Sequence, residues 1–566
     1  MRILLSLMLI LGLLAAAIVG GFAVRHYEIG AFTSLVERVE RKVNELRGAP
    51  SEWDIAFDLI ETTNVRLRGT VYEIPRDEFA SGGALAVWGQ DLLVMDRLGT
   101  IRRLVEGQGI VPTGIGVPDN GRTAYEAVAA APAYAGYAHR PDRHRYNDLV
   151  HVDGPALHGL ALSYSYFDAE QVCYSSRVAW IDVPRGTAPA DFTAAPEDWE
   201  MIYETAPCLP LNPTWTAFDG IMAGGRMAFD GGTTLYFGSG EYHLDGVHTY
   251  DVGIQSPDTD YGKVIAIDIA TGQSRHVSIG HRNMQGVAID AAGRLWTTEH
   301  MIRGGDELNL IVEGGNYGWP LETYGTLYSG LPFPNWGEEG RHVLHTSPAF
   351  AWLPSPGIST LGAIEGFHPA WDGDLLAGSL SSPAHGQSLF RIRIEGDRAI
   401  FAERIRMNQR IRYVTQWGPD RIAVLFDRNR VVVFRAEVRV DVLGRALELA
   451  RKRIPSDIHT QVAQIARSCS ECHSFERDVS GAAPSLAGVI GRPVGGGFYD
   501  NYSDALLAHG GVWDRALLTA YLDNPPATIP GTAMPDPNLA PGPVMDGLLD
   551  LLEIVGQEAE GDLPYN

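Results

Sequence analysis

Near its C-terminus the chain reads Cys469-Ser470-Glu471-Cys472-His473. Two thiols three positions apart, followed at once by an imidazole, are the attachment pattern of c-type haem. Two thioether bonds fix a porphyrin, and the histidine offers one axial nitrogen to its iron. A zinc or dithiol redox site is the other use of such a pair. The remaining cysteines, Cys173 and Cys208, stand alone with 34 residues between them. They fit either a disulfide, which needs oxidising surroundings, or two buried thiols.

The rest of the sequence must position this chemistry. Its 566 residues allow two to four domains. With 45 % hydrophobic and 20 % charged residues, wholesale disorder is excluded. The net charge of −24 argues against nucleic acid or anionic lipid as the main partner. From Ile3 to Val24 no residue is charged, a run long enough to span a bilayer. Residues 1–25 are therefore expected to be a transmembrane anchor, with a cleaved signal as the alternative. With that anchor as sole span, and with covalent haem attachment performed outside the cytoplasm as the c-type pattern implies, single-pass attachment to the inner membrane with the bulk in the periplasm is expected. Val36, Val39, Val43 and Leu46 follow at helical spacing, so 26–67 is expected to be an amphipathic helical spacer.

From residue 68 to 438 one theme recurs: an apolar alternating run, a Gly or Asp turn, then a second apolar run. Gly83 to Met95, Leu157 to Val183, Gly225 to Phe237, Gly286 to Trp296, Phe367 to Ala377 and Val414 to Leu425 make six such units. Hairpins of this kind, repeated radially, predict a mainly β fold with a six-bladed β-propeller.

Several stretches of this region resemble the PQQ-dependent soluble glucose and aldose sugar dehydrogenases. They are Gln255 to Lys263, Gly280 to Gly286, Thr298 to Asn309, Asn316 to Pro320 and Gln409 to Arg412. The resemblance implies a quinone held over the propeller axis and calcium beside it. Arg410 and Arg412 match the arginines aimed at the PQQ carboxylates, and Arg282 and Asn283 match another pair at the cofactor. The chain also departs from the family. Met222 stands where the catalytic histidine is expected, Met301-Ile302 replaces the Gly-Pro step whose carbonyls hold calcium, and Ser381 replaces a lysine. A thioether is no base. Glu241, at an acidic position of the family, is then the candidate catalytic group, with His243 or His158 as alternatives.

The C-terminal stretch, 465–566, resembles mitochondrial-type class I cytochrome c, a small all-α domain. That resemblance makes His473 and Met534 the axial ligands of the haem iron and Cys469 and Cys472 its thioether anchors. Pro484 would orient His473 through its carbonyl, while Arg492, Tyr502 and Trp513 would surround a propionate. Residues 439–464 read as a linker helix. From Arg467 onward there are four Arg, no Lys and fourteen Asp or Glu, so a redox partner should present a basic or neutral face. Together these features predict an anchored oxidoreductase that oxidises a small sugar, alcohol or aldehyde and passes electrons to haem c. The alternative is a propeller that binds a ligand or protein without chemistry and carries a tethered cytochrome.

Overall fold

A computed structural model describes residues 57, 59–75, 79–134, 144–211, 222–246, 253–333, 342–382, 384–437, 442–477, 481–497 and 499–560. The chain divides into two compact units, Met1–Glu437 and Val438–Asn566.

Among its described residues the first unit contains six sheets of four or five strands, antiparallel except where Ser274–Ile279 pairs parallel with Gly315–Asn316. Their inner strands are Ala84–Trp88, Tyr146–Asp153, Gly224–Phe229, Met284–Ile289, Ile358–Ala363 and Ile411–Gln416. Each packs beside the next, and the last packs beside the first, so the ring is closed. This is the expected six-bladed propeller; we number its blades from the Ala84 sheet. The sixth blade is built from both ends of the unit. Arg66–Glu73 pairs antiparallel with Arg430–Ala436, in the register Thr70 opposite Val433. Ile60–Glu61 extends the same sheet. The closing sheet thus begins ahead of residue 68, inside the stretch read as a spacer.

Blades are covered on both faces, so their middle strands read as continuous apolar runs rather than alternating ones. Val431, Val432, Val433 and Phe434 are all 0 % exposed. The fifth blade differs from its sequence reading. Its hairpin joins Ile358–Ala363 to Leu375–Ser379, and Phe367 to Asp374 form the connection. Left-handed Gly366 and Gly373 break the chain there, while Phe367 and Trp371 still fill the core.

Cys173 and Cys208 form a disulfide, settling the alternatives left open above; they are 35 positions apart. A loop of that length loses closure entropy worth about 3–4 kcal/mol. Replacing both cysteines with alanine is expected to lower propeller stability by that order. Urea denaturation of the two proteins checks it, and equal midpoints would refute it.

In the second unit, helices Val442–Ala450 and Ser456–Cys469 pack against Pro543–Glu560. Val442, Ala446, Leu447, Ala450 and Ile454 belong to the same core as Trp513 and Leu552. The segment read as a linker is therefore an integral wall of this unit. Its apolar positions face the core, and the basic ones interleaved with them do not.

The membrane assignment is corrected. Among the described residues no helix is long and apolar enough to cross a membrane. The apolar run Ile3 to Val24 and the Val36 to Leu46 helix lie outside the described residues. Single-pass anchoring in the inner membrane is not supported.

Candidate functional sites

At the C-terminal site, Ser456–Cys469 ends at the first thiol, and the chain turns so that His473 N donates to the Cys469 carbonyl at 2.9 Å. His473 Nδ1 then donates to the Pro484 carbonyl at 2.6 Å. That bond fixes the tautomer and leaves Nε2 with its lone pair free for a metal. Both thiols are free, Cys469 half-buried and Cys472 exposed. Arg492 Nη2 donates to Ser485 O at 2.6 Å. Tyr502 Oη accepts from Gly497 N at 3.1 Å. A Cβ on Gly497 would lie 2.5 Å from Tyr502 Oη and 3.3 Å from the Arg492 guanidinium, so the arginine and the phenol are gathered closely around this glycine. Trp513 is buried against Tyr521, ring centres 4.9 Å apart, and Met534 packs half-buried on the same core. These residues fit a covalent haem.

In the propeller the candidate residues come from several blades. Glu241 follows the second strand of the third blade and is 0 % exposed. A Cβ on Gly240 would lie 1.9 Å from Met222 O, so the Glu241 turn lies directly on the Met222 backbone. Glu241 Oε2 accepts from Trp319 Nε1 at 2.7 Å, and Arg282 Nε lies 3.4 Å from Oε1. Burial, reinforced by Asp245, pushes the Glu241 carboxyl up to about 7 against the pull of Arg282 and His243. Arg282 Nη1 also donates to the carbonyls of His300, at 2.7 Å, and Met301. A calcium ion seated on the Met301 carbonyl would compete with that guanidinium. Asn283 Oδ1 accepts from Gly224 N at 3.3 Å and from Gln285 Nε2 at 2.8 Å.

Arg410 and Arg412 both grip Asp427, with Arg410 Nε at 2.7 Å from Oδ2 and Arg412 Nη2 at 2.9 Å. Burial works against it, yet the two arginines hold this carboxyl below the ordinary carboxylate range. Two guanidiniums on one carboxylate leave a positive surplus. Arg412 lines a small axial cavity of about 20 Å³ with Arg145, Asn147, Arg226, Gln285 and Ser359. Among the described residues, the buried Asn147 Nδ2 has no hydrogen-bond partner. The donor-rich, cationic lining suits a carboxylate group.

The other candidates are engaged elsewhere. His158 Nδ1 bonds the Val183 carbonyl at 2.8 Å, and its ring meets that of His151 edge-on, within the second blade. The structure adds residues that the sequence reading passed over: Asp427, Trp319, Asn147 and, above all, Arg226. The Gly-Gly-Arg step at residues 224–226 is the sequence signal that points to Arg226.

Residues 160–435 match the Glucose / Sorbosone dehydrogenase family. Over 213 residues the chain is 34 % identical to aldose sugar dehydrogenase YliI of Escherichia coli (strain K12), covering 35 % of this chain. It spans 54 % of that protein's length. Cytochrome c2 iso-1 of Magnetospirillum fulvum is 52 % identical over 66 residues, 12 % of this chain and 67 % of that protein. The C-terminal unit belongs to the cytochrome c2 family, and the propeller is similar to the glucose/sorbosone dehydrogenases over residues 160–435. The apo crystal structure of the soluble aldose sugar dehydrogenase of Escherichia coli superposes with a TM-score of 0.52 at 25 % identity. It covers 66 % of this chain and all of its own. With cytochrome c2 membership comes covalent haem c in the C-terminal unit.

Proposed function

We propose that the chain is an oxidoreductase whose propeller dehydrogenates a small sugar, alcohol or aldehyde and whose haem c takes the electrons onward. The observation that carries this reading is the occurrence, in one chain, of the Cys469–Cys472–His473–Pro484 arrangement and a sugar-dehydrogenase domain. Arg282, Asn283, Arg410 and Arg412 would hold PQQ, which supplies a hydride acceptor when bound. Glu241 is the proposed acceptor of the substrate's hydroxyl proton. A buried carboxyl raised to about 7 is poised between its two protonation states near neutral pH. Met222 beside it cannot take a proton. Cys469 and Cys472 would anchor the haem, and His473 and Met534 would hold its iron. Fourteen acidic residues and no lysine from Arg467 onward favour an onward partner with a basic or neutral face.

A second reading, a binding propeller that carries a tethered electron carrier, is favoured by Met222 and by the guanidinium on the Met301 carbonyl. One experiment separates the two. The haem-loaded chain is mixed with PQQ, calcium and candidate sugars, and the reduced haem band is followed. Reduction that needs both PQQ and sugar supports the dehydrogenase. Reduction by dithionite alone supports the carrier.

A further inference from the structure

Glu241 is fully buried, yet a proton acceptor must return each proton to water before it can accept another. The chain turns sharply behind it. Tyr242 and His243 both take left-handed backbone, with φ of 49° and 64°, and Tyr242 N donates to Met222 O at 3.2 Å. The turn gathers three side chains: one carboxylate oxygen or imidazole nitrogen from each of Glu241, His243 and Asp245 lies within 4.8 Å of the others. A direct hydrogen bond or one bridging water spans such a gap. Asp245 is 2 % exposed, whereas His243 reaches the surface in part. The remaining partners of the Glu241 carboxyl, Arg282 and Trp319, only donate and cannot carry a proton away.

We propose that His243, oriented by Asp245, is the proton exit of Glu241. A proton passes from the Glu241 carboxyl to one imidazole nitrogen, and the other nitrogen releases a proton to water. Glu241 returns to carboxylate and no electron moves. Among the described residues, the charged or titratable groups that act on Glu241 besides His243 are Arg282 and Asp245. The role in turnover rests on the reading of Glu241 as the substrate's proton acceptor; the path itself does not.

The test follows the infrared carboxyl stretch of Glu241 in the full chain without PQQ, at pH 5. Subtracting the spectrum of Glu241→Gln isolates the band, and transfer into D2O times its exchange. His243→Phe is expected to slow exchange at least tenfold, with added imidazole restoring it. His243→Gln, polar but without a titrating nitrogen, should slow it equally. Exchange as fast in both variants as in the unaltered chain overturns the proposal. Haem reduction by PQQ and sugar is measured alongside. Its absence in the unaltered chain removes the dehydrogenase reading, while the exchange rates decide the proton path by themselves.

Discussion

Replacing Arg226 with methionine is expected to destabilise the propeller by about 3–5 kcal/mol, the usual cost of removing one partner of a buried ion pair. The side chain leaves the third blade and donates to four carbonyls near the axis. They are Gly83 at 3.2 Å, Asn147 at 2.9 Å, Gln285 at 3.2 Å and Arg412 at 3.1 Å. These belong to the approach to the first blade and to the second, fourth and sixth blades. Arg226 Nη1 also lies 3.6 Å from the buried Asp148, and the guanidinium stands over the Tyr413 ring. Without it four acceptors lose a donor and Asp148 loses its counter-charge. Burial already raises the Asp148 carboxyl despite Arg226. The folded variant therefore holds that proton more tightly than the unfolded chain does, and its stability falls as pH rises past the ordinary carboxylate range. Urea unfolding at pH 5 and pH 8 should show the larger deficit at pH 8. Equal midpoints for variant and parent would show that the axial guanidinium is dispensable.

Glu241→Gln is expected to lower the rate of sugar-driven haem reduction by about 10²–10⁴, the usual contribution of a positioned base. In the unaltered protein the rate should climb with pH through about 7, where the carboxyl ionises; the variant's residual rate should be flat. Stability moves the opposite way. Between the ordinary carboxyl value and about 7, the folded protein keeps a proton that the unfolded chain has released, so stability declines across that window. The glutamine variant lacks this decline and should gain on its parent by on the order of 3 kcal/mol between pH 4 and pH 8. An unchanged rate would remove Glu241 from the reaction.

The haem site was readable from the sequence because its chemistry is local. Two thiols and an imidazole must sit in one helical turn, and the His473–Pro484 bond closes across eleven positions. The blades were readable because each hairpin carries its own Gly or Asp turn, and Phe367 to Ala377 misled only in assigning to a strand a connection that buries Phe367 and Trp371. The propeller site was less legible, since its partners are far apart in sequence. Asp427 meets Arg410 and Arg412 from the turn that follows Ile422–Phe426, and Trp319 reaches Glu241 across 78 positions. Nothing at Gly83 or Gln285 marks their carbonyls as acceptors for Arg226. Local spacing cannot report such meetings.

The sixth blade has a consequence for how the molecule is made. A ribosome delivers Arg66–Glu73 early, yet the strand it pairs with, Arg430–Ala436, emerges only after the other five sheets. Until then that strand is an open edge, the kind of surface on which nascent chains associate wrongly. The ring clasps shut with its last strand, at the very point where synthesis of the cytochrome begins. Premature termination within the sixth blade would leave the whole ring unfastened, whereas termination after Ala436 would cost only the haem unit.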